Sequence, residues 1–393
     1  MPTTSRFRTE SIDIRYFRDD TAPIIISPLG TPFILSPFVR IANTFGYNAL
    51  SPGADEKGQR AVDYCVILLL LYTLFGLVRR TASFSRFSEE FPILLMTGTL
   101  IGPTVATGLW SINFEILLMT AGALIIRSPS KSAAYDLALG CLEFLGFMVR
   151  PTFALFILAA FAIQLAKREW RRLFVSASSS ATLFLLFAAW SHRHYGTWLP
   201  PYYLASRMSL ENAREAFFGL LVSPSRSIFL YSPILVVTLW RAITEAYAHS
   251  RRQKEDAEIW LWATLAVCLF LSNVFFPHWT GGWSFGPRIL SDLTLTGFIF
   301  LLSCDNKNFK HHTAQDTWRK WALAALLIGT PVSMSGIYNR YALFWNEFPN
   351  IDYNTEIVWD WRYPQPLMTR NILARKCLTQ SAELGLKTSA CSK

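Results

Sequence analysis

Ten apolar runs, near residues 61–78, 91–110, 111–127, 133–149, 152–166, 173–190, 228–240, 257–276, 288–303 and 321–336, alternate with polar connections along the chain. Runs of this kind predict membrane-crossing helices, which need roughly 20 apolar residues to traverse the hydrocarbon. Those at 133–149, 152–166 and 228–240 are short. The pattern therefore predicts half-helices among them, with freed backbone groups satisfied inside protein rather than in lipid. The expected layout is an N-terminal segment 1–60, a transmembrane helical domain 61–336 that contains a polar excursion at 191–227, and a C-terminal tail 337–393. The fold class is then all-α, a polytopic bundle of about ten spans with juxtamembrane helices and loops.

Composition agrees with that class. Hydrophobic residues make up 52% of the 393 and charged residues only 16%, more apolar surface than a water-soluble core of this size can hide. The net charge of +10 is concentrated in alternate connections: Arg79-Arg80, Arg127 with Lys131, Lys167-Arg168 with Arg171-Arg172, Arg241 with Arg251-Arg252-Lys254, and Lys307 and Lys310 with Arg319-Lys320. Basic residues mark cytoplasmic loops, so the opposite connections, the 191–227 segment and both terminal segments are expected outside. The positive charge is topological and lipid-directed, which excludes a nucleic-acid partner. No Walker loop, dinucleotide fingerprint or metal-ligand spacing is present. His311-His312 reads as a solvated loop pair. Among six cysteines, only Cys377 and Cys391 share the tail, which leaves one disulfide open there.

Candidate chemistry concentrates at one corner, Pro277-His278-Trp279-Thr280-Gly281-Gly282-Trp283-Ser284-Phe285-Gly286-Pro287-Arg288. Gly281 and Gly282 permit positive φ, Gly286-Pro287 separates two helices, and the three large rings suit the membrane interface. Arg288 stands at the mouth of a span with a fork of donors suited to phosphate. The alternative is an interfacial loop with a snorkelling arginine. The 191–227 segment runs from His192 through Tyr195-Gly196 and Tyr202-Tyr203 to Ser223-Pro224-Ser225-Arg226, and its hydroxyls, rings and Arg226 suit a phosphorylated or sugar-bearing ligand or simple interfacial anchoring.

Carboxylates in or near spans are few: Glu115, Asp136 and Glu143. Glu115, expected at the outer end of its span, either assists proton transfer or pairs with Arg150. Glu143 reads as an interhelical hydrogen-bond partner. Before the first run, Asp13, Asp19 and Asp20 precede the proline-broken stretch Pro23–Phe38 and read as solvated acids, with a base or metal-ligand role as the alternative.

Taken in order, Ser27-Pro28-Leu29-Gly30-Thr31-Pro32, Gly98-Thr99 through Trp110, Val149-Arg150-Pro151-Thr152, Tyr195–Tyr203, Ser223–Pro233, His278–Arg288, and the tail residues Trp345-Asn346, Trp359-Asp360-Trp361 and Gln365 resemble the bacterial GT-C glycosyltransferases. The resemblance extends from about residue 5 to 370 and points to relatives of protein O-mannosyltransferases and aminoarabinose transferases. It implies transfer of a sugar from a polyprenyl-phosphate carrier to a glycan, lipid or protein acceptor at the external face of the inner membrane. On that implication Arg288 and Arg226 bind the donor phosphate, Tyr202, Trp283 and His278 contact sugar or isoprenoid, and Glu115 is a candidate catalytic carboxylate. A divalent metal requirement stays open.

The family's aspartate in the first external loop follows a first transmembrane helix, and Thr3-Thr4-Ser5-Arg6-Phe7 is similar to the residues just after it. The acid would fall at Met1-Pro2 or upstream, so a first helix and principal acid are expected to be missing from this chain. A catalytically inactive lipid-binding or assembly protein on the same scaffold is the second reading. A secondary transporter is the third; it should show two related halves, and no internal repeat is visible.

Overall fold

In the computed structural model, the described residues are 56–81, 90–108, 110–129, 132–203, 208–249, 257–305, 312–347 and 349–385, with isolated positions at 14–15, 24–25, 30–31, 34, 36–37, 40 and 44. Asp13, Asp19 and Asp20, most of the Pro23–Phe38 stretch, His311 and Cys391 lie outside them. The described chain is helical apart from a two-residue antiparallel pairing, Ile14 with Ile25 and Arg15 with Ile24.

Among the described residues, three helices are long and apolar enough to cross a membrane: Trp170–Tyr195, Ala257–Val274 and Thr317–Tyr338. Only 17% of the apolar window of the first is buried, and Phe174, Leu185 and Leu186 along it are each more than half exposed. Apolar surface on this scale suits lipid rather than water. These are the features of a membrane protein. Ser111–Ile126 and Phe153–Ala166 are apolar but shorter.

The chain divides into two compact units, residues 1–84 with 108–207, and residues 85–107 with 208–393. This division cuts across the three-part layout expected from the sequence, since the 191–227 excursion is shared between the units.

In the first unit, glycines set how closely the helices pack. A Cβ on Gly122 would lie 2.7 Å from the Phe156 ring, and one on Gly140 would overlap Ser179 of the Trp170–Tyr195 helix. Small residues at such crossings let backbones approach where no hydrophobic drive holds helices together in lipid. Basic side chains gather at one end. Arg172 donates through Nε to Asp136 (3.0 Å), through Nη1 to Glu169 (2.8 Å) and Ile126 O (3.2 Å), and through Nη2 to Ser128 O (3.3 Å). Arg171 reaches the other Asp136 oxygen at 2.9 Å, and Arg80 caps Leu124 O at 3.2 Å. These contacts satisfy carbonyls at a helix C-terminus, where cations are favoured.

In the second unit, the run 91–110 was expected as one span and is instead two short helices, Phe91–Thr97 and Ile101–Ala106. Gly98 is the cause. Its backbone lies so close to the His312–Tyr338 helix that a Cβ would overlap Leu326 O, and a Cβ on Gly329 would overlap Gly98 O. The freed groups are satisfied locally: Thr99 Oγ1 donates to Leu95 O at 2.6 Å and accepts from Ile101 N at 3.2 Å, and Leu100 N donates to Ser232 Oγ at 3.1 Å. The short run 228–240 is also interrupted, by Ser232-Pro233 between Ile228–Tyr231 and Ile234–His249. By contrast, Ala133–Val149 and Phe153–Ala166 are each unbroken.

Candidate functional site

The second unit is tied together by one buried guanidinium. Arg226 is 0% exposed and follows a serine turn in which its own backbone N donates to Ser223 Oγ at 3.0 Å. Nε donates to Thr280 O (2.6 Å), Nη1 to Ser225 O (2.8 Å) and Gln365 Oε1 (2.6 Å), and Nη2 to Asn346 Oδ1 (2.6 Å) and Gly282 O (3.4 Å). A guanidinium has five N–H donors, and here each has a protein acceptor. Burial pulls its pKa down to about 10, with Tyr231 and Asp352 acting against the shift, so the group stays charged at neutral pH. The sequence expectation that Arg226 binds phosphate is not met by this geometry: the donors a phosphate would need are already spent on the protein.

The acceptors lie on three stretches far apart in sequence. Gln365 is the second hub. Its Oε1 also accepts from Gly286 N (2.9 Å) and from the Tyr231 hydroxyl (3.3 Å), while Nε2 donates to Ser284 O (2.9 Å) and Ala342 O (2.8 Å). Asn346 Nδ2 donates to Ser284 O at 2.9 Å. The Gly-Trp corner, the serine turn and the tail therefore form one hydrogen-bonded knot. Gly281, Gly282 and Gly286 have φ of 77°, 64° and 60°, as a tight corner requires. At Gly286 a Cβ would also lie 2.5 Å from the Tyr231 ring.

The corner's rings divide. Trp279 is 0% exposed, with its ring against Gly219, and Phe285 is 2% exposed against Gly336, so neither belongs to an interfacial belt as expected. Glycine on the facing helix or segment makes room for each ring, which burial then favours over the interface. Trp283 and Arg288 are half-buried and His278 is exposed. Arg288 opens the turn Arg288–Leu290, whose other two residues are buried and anchor it.

Behind the knot lies a residue that sequence reasoning did not single out. Lys376 is 0% exposed; Nζ donates to Trp345 O at 2.9 Å and sits 4.5 Å from the centre of the Trp345 ring, while Arg226 Cζ lies 5.3 Å from it. Burial lowers the Lys376 pKa to about 7, Arg226 adds to the drop, and Asp360 opposes it. The neighbouring Cys377 is disulfide-bonded, while Cys65, Cys141 and Cys268 are not.

Glu115 and Tyr202 belong to the first unit. Glu115 is fully buried, accepts from Arg150 Nη1 at 2.8 Å and from Thr152 Oγ1 at 2.7 Å, and so takes the ion-paired alternative. The partly buried Tyr202 packs with Met148, Phe187 and Tyr203, and the Tyr203 hydroxyl donates to Met148 O at 2.7 Å. Both clusters meet the end of the Ala133–Val149 helix. Glu143 departs from expectation. It is 0% exposed, and neither carboxyl oxygen has a hydrogen-bond partner among the described residues.

Arg226, Arg288, Trp283 and His278 thus share the second unit, and Glu115 and Tyr202 share the first. Among the described residues no group of three or more His, Cys, Asp or Glu side chains is arranged to hold a metal ion. The fold and site define a helical membrane protein with an arginine-locked polar corner. Comparison with protein-family models, with curated proteins and with solved structures finds no match.

Proposed function

We propose that this chain is the membrane body of a glycosyltransferase that moves a sugar from a polyprenyl-phosphate carrier to an acceptor at the external face of the inner membrane. The observation that carries the reading is the Arg226 knot. It spends one arginine entirely on holding the corner, through the Thr280 and Gly282 carbonyls, and the same corner carries the half-buried Trp283 and Arg288 and the exposed His278. A second cation on a held corner that also bears aromatic rings suits a leaving phosphate whose isoprenoid tail stays in lipid. In the reaction the acceptor hydroxyl oxygen bonds to the anomeric carbon, the carbon–oxygen bond to phosphate breaks, and polyprenyl phosphate departs as the base that takes up the hydroxyl's proton. Glu115 is assigned no role as base, because Arg150 and Thr152 already occupy its two oxygens.

The finer topology belongs to the same proposal: about ten crossings, with the basic ends cytoplasmic and both terminal segments outside. The clustering of Arg80, Arg171 and Arg172 with the Ile126 and Ser128 carbonyls at one end of the first unit supports it. A disulfide at Cys377 in the tail suits an oxidising compartment. The second reading, a lipid-binding or assembly protein without transferase activity, is favoured by Glu115 being ion-paired.

Proteoliposomes holding the full chain and a radiolabelled polyprenyl-phosphate sugar separate the two. Release of polyprenyl phosphate with label passing to an acceptor supports transfer. Binding without turnover supports the second reading.

A further inference from the structure

The membrane-length helix Thr317–Tyr338 ends in a surface that the Arg226 knot does not use. Its last residue, Tyr338, is 80% exposed and lies on the same face as Leu327, which is more than half exposed about three turns earlier. The exposed apolar face of a spanning helix meets acyl chains, so Tyr338 marks the headgroup boundary, where such rings are favoured. The tail is stitched to this end. Ser335 Oγ donates to Pro366 O at 2.6 Å, and Asn339 Nδ2 donates to Met368 O at 2.7 Å. Pro366 and Met368 are buried, while Leu367 between them is 68% exposed and presents a second apolar side chain beside the helix end.

Two arginines flank that join. Arg340 Nη2 donates to the Tyr341 hydroxyl at 3.1 Å, with Cζ 5.0 Å from the ring centre, which leaves the phenolic proton to be donated outward. The hydrogen bond from Arg340 holds the Tyr341 hydroxyl below its ordinary pKa; desolvation opposes this, and the charges of Arg340 and Arg370 add to it. Arg370 therefore acts on the same hydroxyl. Both arginines are exposed, and neither forms an ion pair among the described residues. Arg370 also opens the Arg370–Glu383 helix, where the helix dipole disfavours a cation, and the first turn of that helix holds no acidic residue. Two uncompensated cations around one hydroxyl proton, next to exposed apolar side chains, match an anionic oxygen joined to acyl chains.

We propose that this helix end docks an anionic phospholipid of the surrounding bilayer, its phosphodiester held by Arg340, Arg370 and the Tyr341 hydroxyl and its acyl chains beside Tyr338 and Leu367. A zwitterionic lipid brings the same phosphate but carries its own cation, which the two arginines repel. The site uses no residue of the Arg288 corner, so it stands whether or not that corner supports sugar transfer.

The test places a photoreactive ring at the site, Tyr338→p-benzoylphenylalanine, in the full chain. The protein is reconstituted in vesicles of equal phosphatidylglycerol and phosphatidylcholine, and the lipid adducts are identified by mass spectrometry. A surface arginine favours anionic lipid about fivefold, so phosphatidylglycerol should exceed phosphatidylcholine in the adducts roughly twentyfold. Adding Arg340→Gln or Arg370→Gln should lower the ratio to about fivefold, and both together should bring it near equality. Lys320→Gln, an exposed cation toward the other end of the same helix, should leave the ratio unchanged. Because Arg340 and Arg370 are exposed and unpaired, their variants should melt like the parent, so a changed ratio reports the site. Equal adducts in the parent, a preference that survives the double change, or cross-linking to a second copy of the chain in place of lipid would overturn the proposal.

Discussion

Replacing Arg226 tests whether it is a clamp or a ligand-binding cation. Arg226→Ala removes five hydrogen bonds and leaves Thr280 O, Ser225 O, Gly282 O, Asn346 Oδ1 and Gln365 Oε1 without their shared donor in a buried setting. Each buried group left unsatisfied costs about 1–3 kcal/mol. Some acceptors keep a second partner, as Gln365 Oε1 does with Gly286 N, so the lower end applies to them. The sum still exceeds ~5 kcal/mol, comparable with the whole stability of an ordinary domain, ~5–15 kcal/mol. Arg226→Lys keeps the charge but offers three donors without the planar fork, and should recover only part of the loss. The assay is thermal unfolding in detergent with limited proteolysis of the tail. Arg226→Ala should fail to yield folded protein or expose the tail to cleavage, and Arg226→Lys should melt well below the parent. An Arg226→Ala protein with the parent melting temperature and an uncut tail would refute the clamp.

Three further outcomes follow from the same contacts. Lys376 has a folded pKa of about 7 against 10.5 for the free side chain, so its contribution to stability is full above 10.5 and lost as pH falls through 7. Melting temperature should therefore rise between pH 7 and 10, by an amount equivalent to at most about 5 kcal/mol, and Lys376→Met should flatten that slope; an unchanged slope would remove Lys376 as its source. Glu115→Ala should destabilise by roughly 3–5 kcal/mol because the largely buried Arg150 loses its carboxylate, and the double variant with Arg150→Met should be less destabilised than the two single effects summed. Additive effects would dissolve the pair. Gly98→Ala should cost about 1–3 kcal/mol through overpacking against Leu326 O, read as a lower melting temperature.

What the sequence disclosed was local. Three of the apolar runs announced helices of membrane length, and Gly281-Gly282 announced a corner with positive φ; both follow from properties of neighbouring residues. The misreadings depend on distant partners. Pro103 was a local signal that the 91–110 run breaks, but nothing near Gly98 reveals that Gly329 will press against it there. Trp279 and Phe285 looked interfacial beside polar neighbours, yet Gly219 and Gly336 make room for them in the interior. Arg226 and Arg288 were indistinguishable as candidate phosphate ligands, because Gln365 and Asn346, which take up the donors of Arg226, lie more than a hundred residues away. Glu115 was legible as one of two alternatives, since Arg150 was identified as its prospective partner. Lys376 gave no local signal: a lysine in a charged helix ordinarily faces solvent.

The most direct test of the central claim is native mass spectrometry of the full chain with a polyprenyl phosphate and the matching uncharged polyprenol. The account predicts that the phosphate-bearing lipid is retained in clear preference to the alcohol, and that Arg288→Ala abolishes the preference while the protein stays folded. Equal retention of the two lipids, or a preference that survives Arg288→Ala, would contradict it.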